Sequence, residues 1–89
     1  MTIADQLNDP HFVPACVGSC RLCGQGRLLV AKVLGTGARF VFCEECESEW
    51  EHPGLIRRLD RATRDRAGEC LLMRRAEVLS GDWGQYVTE

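Results

Sequence analysis

The sequence predicts a small α+β fold: a β-hairpin framed by two cysteine knuckles, followed by one or two short C-terminal helices. Three observations lead there. Two Cys-x-x-Cys pairs, Cys20/Cys23 and Cys43/Cys46, are separated by 19 residues, 24 to 42. The chain between them reads as two apolar strands around a glycine turn. After Trp50 the pattern changes to an arginine-rich segment with helical spacing.

The elements follow in chain order. Residues 1–19 read as an irregular leader, because Pro10 and Pro14 interrupt any helix. Phe12, Val13 and Val17 in this leader are apolar enough to pack on the body. Residues 20–50 form the hairpin unit. Arg27 to Leu34 is strand-like, Gly35-Thr36-Gly37 turns the chain, and Arg39 to Cys43 is rich in aromatic and branched residues. Gly24 and Gly26 stand where the first knuckle turns back and calls for positive φ.

Residues 54–80 read as helical, with Pro53 placed to open the first helix. On a helical wheel Leu55, Ile56, Leu59, Ala62 and Ala67 share one sector, opposite Arg57, Arg61 and Arg64. Arg66 intrudes on the apolar sector, so that helix is expected to fray near Gly68. A second segment over residues 70–79 would bury Leu72, Ala76 and Leu79 and stop at Gly81. The tail, 81–89, carries Trp83 and Tyr86, which with Trp50 are expected in a core joining the hairpin to the C-terminal half.

With 89 residues the chain has room for one domain, and its 45% hydrophobic and 27% charged composition is globular. A net charge of -2 argues against a surface coated for nucleic acid while leaving room for a local basic face. No apolar run is long enough to span a bilayer and no basic, apolar secretory leader opens the chain. The expected location is the cytoplasm, where thiols stay reduced and six cysteines point to metal before disulfides.

The paired spacing matches a zinc site. Two residues between cysteines let a turn aim both sulfurs at one point, and a hairpin brings the pairs together. Cys20, Cys23, Cys43 and Cys46 would then close a tetrahedron around Zn(2+) with no open position, the structural arrangement. Tetrahedral sulfur also suits iron. A thioredoxin-like redox motif would need its first pair to open a helix, whereas a strand follows here. Cys16 is weighed as a substitute ligand, Cys70 as a buried small hydrophobe, and His11 and His52 as minor ligand candidates.

The run Cys20-Arg21-Leu22-Cys23-Gly24-Gln25-Gly26, with Phe42-Cys43-Glu44-Glu45-Cys46-Glu47-Ser48-Glu49-Trp50, resembles small bacterial zinc-ribbon proteins. The likeness spans residues 20–50, and the aromatic tail 81–87 resembles the ending some of them carry. Arg21-Leu22 replaces the usual proline of the first knuckle. The resemblance implies a zinc-binding module without a defined activity; some such proteins act as immunity or antitoxin partners.

Five glutamates lie between Glu44 and Glu51, and seven of the eleven basic residues between Arg57 and Arg75. Two binding readings follow: a platform for a protein partner, or a nucleic-acid contact through the Arg57/Arg61/Arg64 helix face. A solvated helix laced by Arg57–Asp60, Arg61–Asp65 and Asp60–Arg64 pairs is the plainer account of the same charges, each pair contributing about 0.2–0.5 kcal/mol. So is an acidic knuckle docked on the arginines. No Ser/His/Asp set and no phosphate loop ahead of a helix argues for an enzyme, so the expectation is a non-catalytic module that binds a protein.

Overall fold

Residues 1–64 and 68–88 are described by the computed structural model, and they are organised around one central strand. In chain order the elements are α1 (Ile3–Asn8), β1 (Cys16–Ser19), β2 (Arg27–Val33), β3 (Arg39–Cys43), β4 (Glu49–Trp50), β5 (Cys70–Leu72) and α2 (Arg75–Leu79). All the strand pairings are antiparallel, in the order β1-β2-β3-β4, with β5 also on β2. β1 lies beside the first half of β2 and β5 beside the second half, so together they share one flank of it.

The reason β2 reads as an unbroken apolar run is that both its faces are covered. Leu28 and Val30 point into a core with Ala15, Val17, Val41, Trp50, Val78 and Trp83. Leu29, Ala31 and Val33 point the other way, against Phe40, Leu72 and the underside of α1. The hairpin β2–β3 sits in the register Leu28↔Cys43 and Val30↔Val41, and Gly37 supplies the left-handed residue of its turn at φ 75°. Trp50 and Trp83 are buried in the first core and Tyr86 packs on it, as the sequence implied. Trp50 also donates its indole N–H to the Arg58 carbonyl at 3.1 Å.

Four expectations change. The leader is structured: α1 opens with a capping box between Thr2 and Asp5, and β1 enters the sheet. Its Phe12 is half-buried and Val17 buried, but Val13 is exposed.

Second, no α-helix covers residues 55–64. Short 3₁₀ turns at Pro53–Leu55 and Leu59–Arg61 replace it. Here the Arg58 carbonyl is taken by Trp50, and Thr63 leaves helical geometry to exchange two main-chain hydrogen bonds with Glu49. The Glu49–Thr63 bridge pairs backbone groups of both residues, so the segment serves the sheet edge rather than a helix. Ala67, Asp65 and Arg66 lie outside the described residues.

Third, the expected helix over 70–79 begins as β5, because the far half of β2 would otherwise leave its ladder groups open. Only Arg75–Leu79 is helical; it buries Val78, while Ala76 and Leu79 are exposed. It closes at Ser80, directly before Gly81.

Fourth, the ion pairs are different. Arg58–Asp60, Arg27–Glu44 and Arg39–Asp82 form among the described residues in place of the expected Arg57–Asp60 and Asp60–Arg64 pairs, and the Arg61–Asp65 pair lies outside the described residues. Arg39 bridges β3 to the tail and also lies over the Trp83 ring at 4.2 Å.

Candidate metal centre

Each cysteine pair is carried by a turn at one end of the hairpin, and the two turns repeat one another. Cys20 accepts a main-chain hydrogen bond from Gly24 at 3.1 Å, and Cys43 accepts one from Glu47 at 3.0 Å. In each the residue after the second cysteine is left-handed: Gly24 at φ 73° and Glu47 at φ 62°. That reversal aims both sulfurs of a pair inwards. Glycine carries the first reversal without strain, whereas Glu47 does so against its side chain.

Gly26 is needed for a different reason from the one the sequence implied. Its φ is not left-handed, but a Cβ there would run into the Cys43 sulfur. The two knuckles therefore meet only because this position has no side chain.

The pairing Leu28↔Cys43 sets one knuckle beside the other, and the four sulfurs of Cys20, Cys23, Cys43 and Cys46 lie within 4.8 Å of one another. The Cys20–Cys46 sulfur separation is 3.8 Å and the Cys23–Cys43 separation 3.7 Å. A tetrahedron with zinc–sulfur bonds of about 2.3 Å has edges of about 3.8 Å, so the donor set fits a tetrahedral ion. None of the six cysteines forms a disulfide, and the separations within the cluster are far from a disulfide bond of about 2.0 Å. The four cysteines are positioned to bind a metal ion.

The thiols are electrostatically unequal. Burial pushes Cys43 up to about 12, against the amides of Cys46 and Glu45. At Cys46 burial also opposes ionisation, but the Ser48 hydroxyl and amide and the neighbouring sulfurs outweigh it and hold the thiol down at about 6. The Gln25 and Gly26 amides lower Cys23. Four thiolates this close repel one another, and a bound cation is what lets them coexist.

Ser48 is a member of the site that the cysteine spacing did not reveal. It is 1% exposed, and its Oγ lies 3.3 Å from the Cys46 sulfur. Arg64 donates its Nε–H to the same oxygen at 3.3 Å, so a cationic side chain reaches the metal centre through one hydroxyl. The only sequence signal was a small hydroxyl side chain placed immediately after the knuckle. On the outer side, Glu44 is clamped by the Arg27 guanidinium at 2.7 and 3.1 Å and by the Arg27 backbone N–H at 3.0 Å, which holds its carboxyl below the usual range.

The structure separates the three arginines that the sequence grouped. Arg64 turns to Ser48, Arg57 lies by the edge of β1 beside Arg21, and Arg61 ends a 3₁₀ turn. They therefore do not form one helical face. Cys16 sits in β1 with its sulfur on the Gly18 carbonyl, and Cys70 is half-buried in β5; neither belongs to the four-sulfur cluster. His52 accepts from the Gly54 amide through Nδ1 and meets Trp83 and Tyr86 edge-on, which gives it a packing role, and His11 is exposed. No described helix is long and apolar enough to cross a membrane.

No family model, curated protein or solved structure matches the chain.

Proposed function

We propose that this chain is a non-catalytic zinc-ribbon module that uses one structural zinc ion to present a surface to a protein partner, in the manner of an immunity or regulatory protein. The observation that carries the reading is the closed set of four cysteine sulfurs with edges of 3.7 and 3.8 Å, which leaves no ligand position for a substrate. Zinc bound there would supply structure: it would offset half of the charge of four thiolates and tie the two knuckles together. Six cysteines outside any disulfide suit the reducing cytoplasm. The net charge of -2, with five glutamates between Glu44 and Glu51, supports a protein partner over a phosphate backbone.

The test has two arms. Elemental analysis of the chain purified without added metal should return one zinc per molecule; a folded, metal-free chain, or one holding iron, overturns the zinc assignment. Duplex DNA titrated near physiological salt should bind negligibly. Tight binding that weakens steeply with salt and is lost on replacing Arg57, Arg61 and Arg64 by Gln would show that nucleic acid is the partner.

A further inference from the structure

We infer that the open edge of β1, next to the first knuckle, is where the partner docks, and that the docking segment is an extended, acidic stretch of polypeptide. The inference rests on the protein-partner reading above and adds the surface and the partner's chemistry.

The edge already accepts main chain. Thr88 of the tail donates its N–H at 2.9 Å and its hydroxyl at 3.1 Å to the Cys16 carbonyl, covering the start of β1. Further along, the Cys20 N–H donates to Gly26 across the β1–β2 pair at 2.9 Å. The alternation of an antiparallel ladder then turns the N–H and C=O of Ser19 away from β2. Ser19 is exposed, and a groove of about 300 Å³ runs past it from Thr88.

The groove walls specify the occupant. Val17 and Ile56 give it an apolar side. Gly18 leaves it open: at φ 147° a side chain is disfavoured, and a Cβ would stand 3.2 Å from Ile56 Cδ1. Arg21 and Arg57, both exposed, line it, and no carboxylate does among the described residues. Strand-edge groups pair with polypeptide, the apolar wall takes an alternate side chain, and two guanidinium groups take carboxylates. A nucleic-acid backbone would satisfy only the guanidinium groups. Because Arg21 lies between Cys20 and Cys23, the knuckle that binds metal also positions one half of the charge pair.

The test is an amide-resolved NMR titration of the zinc-loaded full chain with a short peptide alternating glutamate and valine. A peptide in which lysine replaces glutamate is the control. The acidic peptide should move the amide signals of Gly18 and Ser19, and the lysine peptide should leave them in place. Arg21→Glu with Arg57→Glu should weaken binding about tenfold or more. Arg57→Gln alone, at an exposed position outside the knuckle, should weaken it less and keep the spectrum dispersed. No movement at Gly18 and Ser19, an equal response to the lysine peptide, or a stronger shift of the same amides by a DNA duplex would each overturn the proposal. The metal content of the same sample separates the two readings. One zinc bound without a peptide response sinks the docking surface alone. A peptide response from a chain without zinc upholds the surface and sinks the metal assignment.

Discussion

Glu47 holds a left-handed conformation, φ 62°, that the equivalent residue of the other knuckle holds as glycine. The left-handed region costs an L-residue about 1–2 kcal/mol, and asparagine tolerates it better than glutamate. Glu47→Asn is therefore expected to raise stability by up to about 1 kcal/mol, visible as a higher denaturant midpoint with unchanged zinc content. A second single-residue effect concerns the chain Arg64–Ser48–Cys46, with both contacts at 3.3 Å. Arg64 donates to the Ser48 oxygen and so polarises the hydroxyl that faces the Cys46 sulfur, and losing such outer partners typically weakens metal affinity about 10–100-fold. Arg64→Ala should therefore speed zinc transfer to a chelator, whereas Arg61→Ala, with no contact to the centre, should not; equal rates would mean that the Arg64–Ser48 contact does not tune the cluster. Cys43→Ser should abolish zinc binding, and Cys16→Ser should leave the content at one.

At the scale of elements, the sheet is completed by a side chain. Gln6 of α1 is 8% exposed and pairs with Leu72 of β5 in both directions, donating Nε2–H to its carbonyl at 3.1 Å and accepting its N–H at 2.8 Å. The amide imitates a neighbouring strand and covers an edge that would otherwise stay open. Removing it leaves buried Leu72 groups unpaired, at about 1–3 kcal/mol. Gln6→Ala should lower unfolding free energy by that amount and speed hydrogen exchange at Leu72, while Gln6→Glu at neutral pH should harm the same pairing by placing a carboxylate there. The sequence offered no sign of this contact, because the two residues are 66 positions apart and neither stands in a recognisable pattern.

For the whole molecule, the four-cysteine cluster and the apolar core are one body, since Cys20 and Cys43 pack with Trp50 and Trp83. Structural zinc contributes roughly 10–16 kcal/mol in small peptides, against a typical domain stability of about 5–15 kcal/mol. A strong chelator should therefore lower the melting temperature of the entire chain and expose both tryptophans to a soluble quencher; a chelated chain with unchanged quenching would mean that the core stands without metal. Acid acts on the same assembly from outside. Arg27 holds the Glu44 carboxyl below its ordinary value of 4.5. A depressed carboxyl stabilises the fold above pH 4.5 and loses that contribution as pH falls through its folded value. Wild type and Glu44→Gln should differ in denaturant midpoint at neutral pH and converge in acid.

By itself the sequence determined that Cys20, Cys23, Cys43 and Cys46 converge, the β2–β3 hairpin and the burial of Trp50 and Trp83, because each is written in local spacing, turn residues or bulky apolar side chains. Only the tertiary structure decided the rest. The apolar spacing of Leu55, Ile56, Leu59 and Ala62 fits a helix, yet Trp50 takes the Arg58 carbonyl and Glu49 takes the backbone of Thr63. The leader's α1 and β1 and the conversion of Cys70–Leu72 to a strand were settled in the same way. The physical reason is that β2 exposes two faces and two long flanks, and all of its ladder groups must be paired. Which distant segment answers that demand depends on where the chain can reach, and local propensity does not encode it.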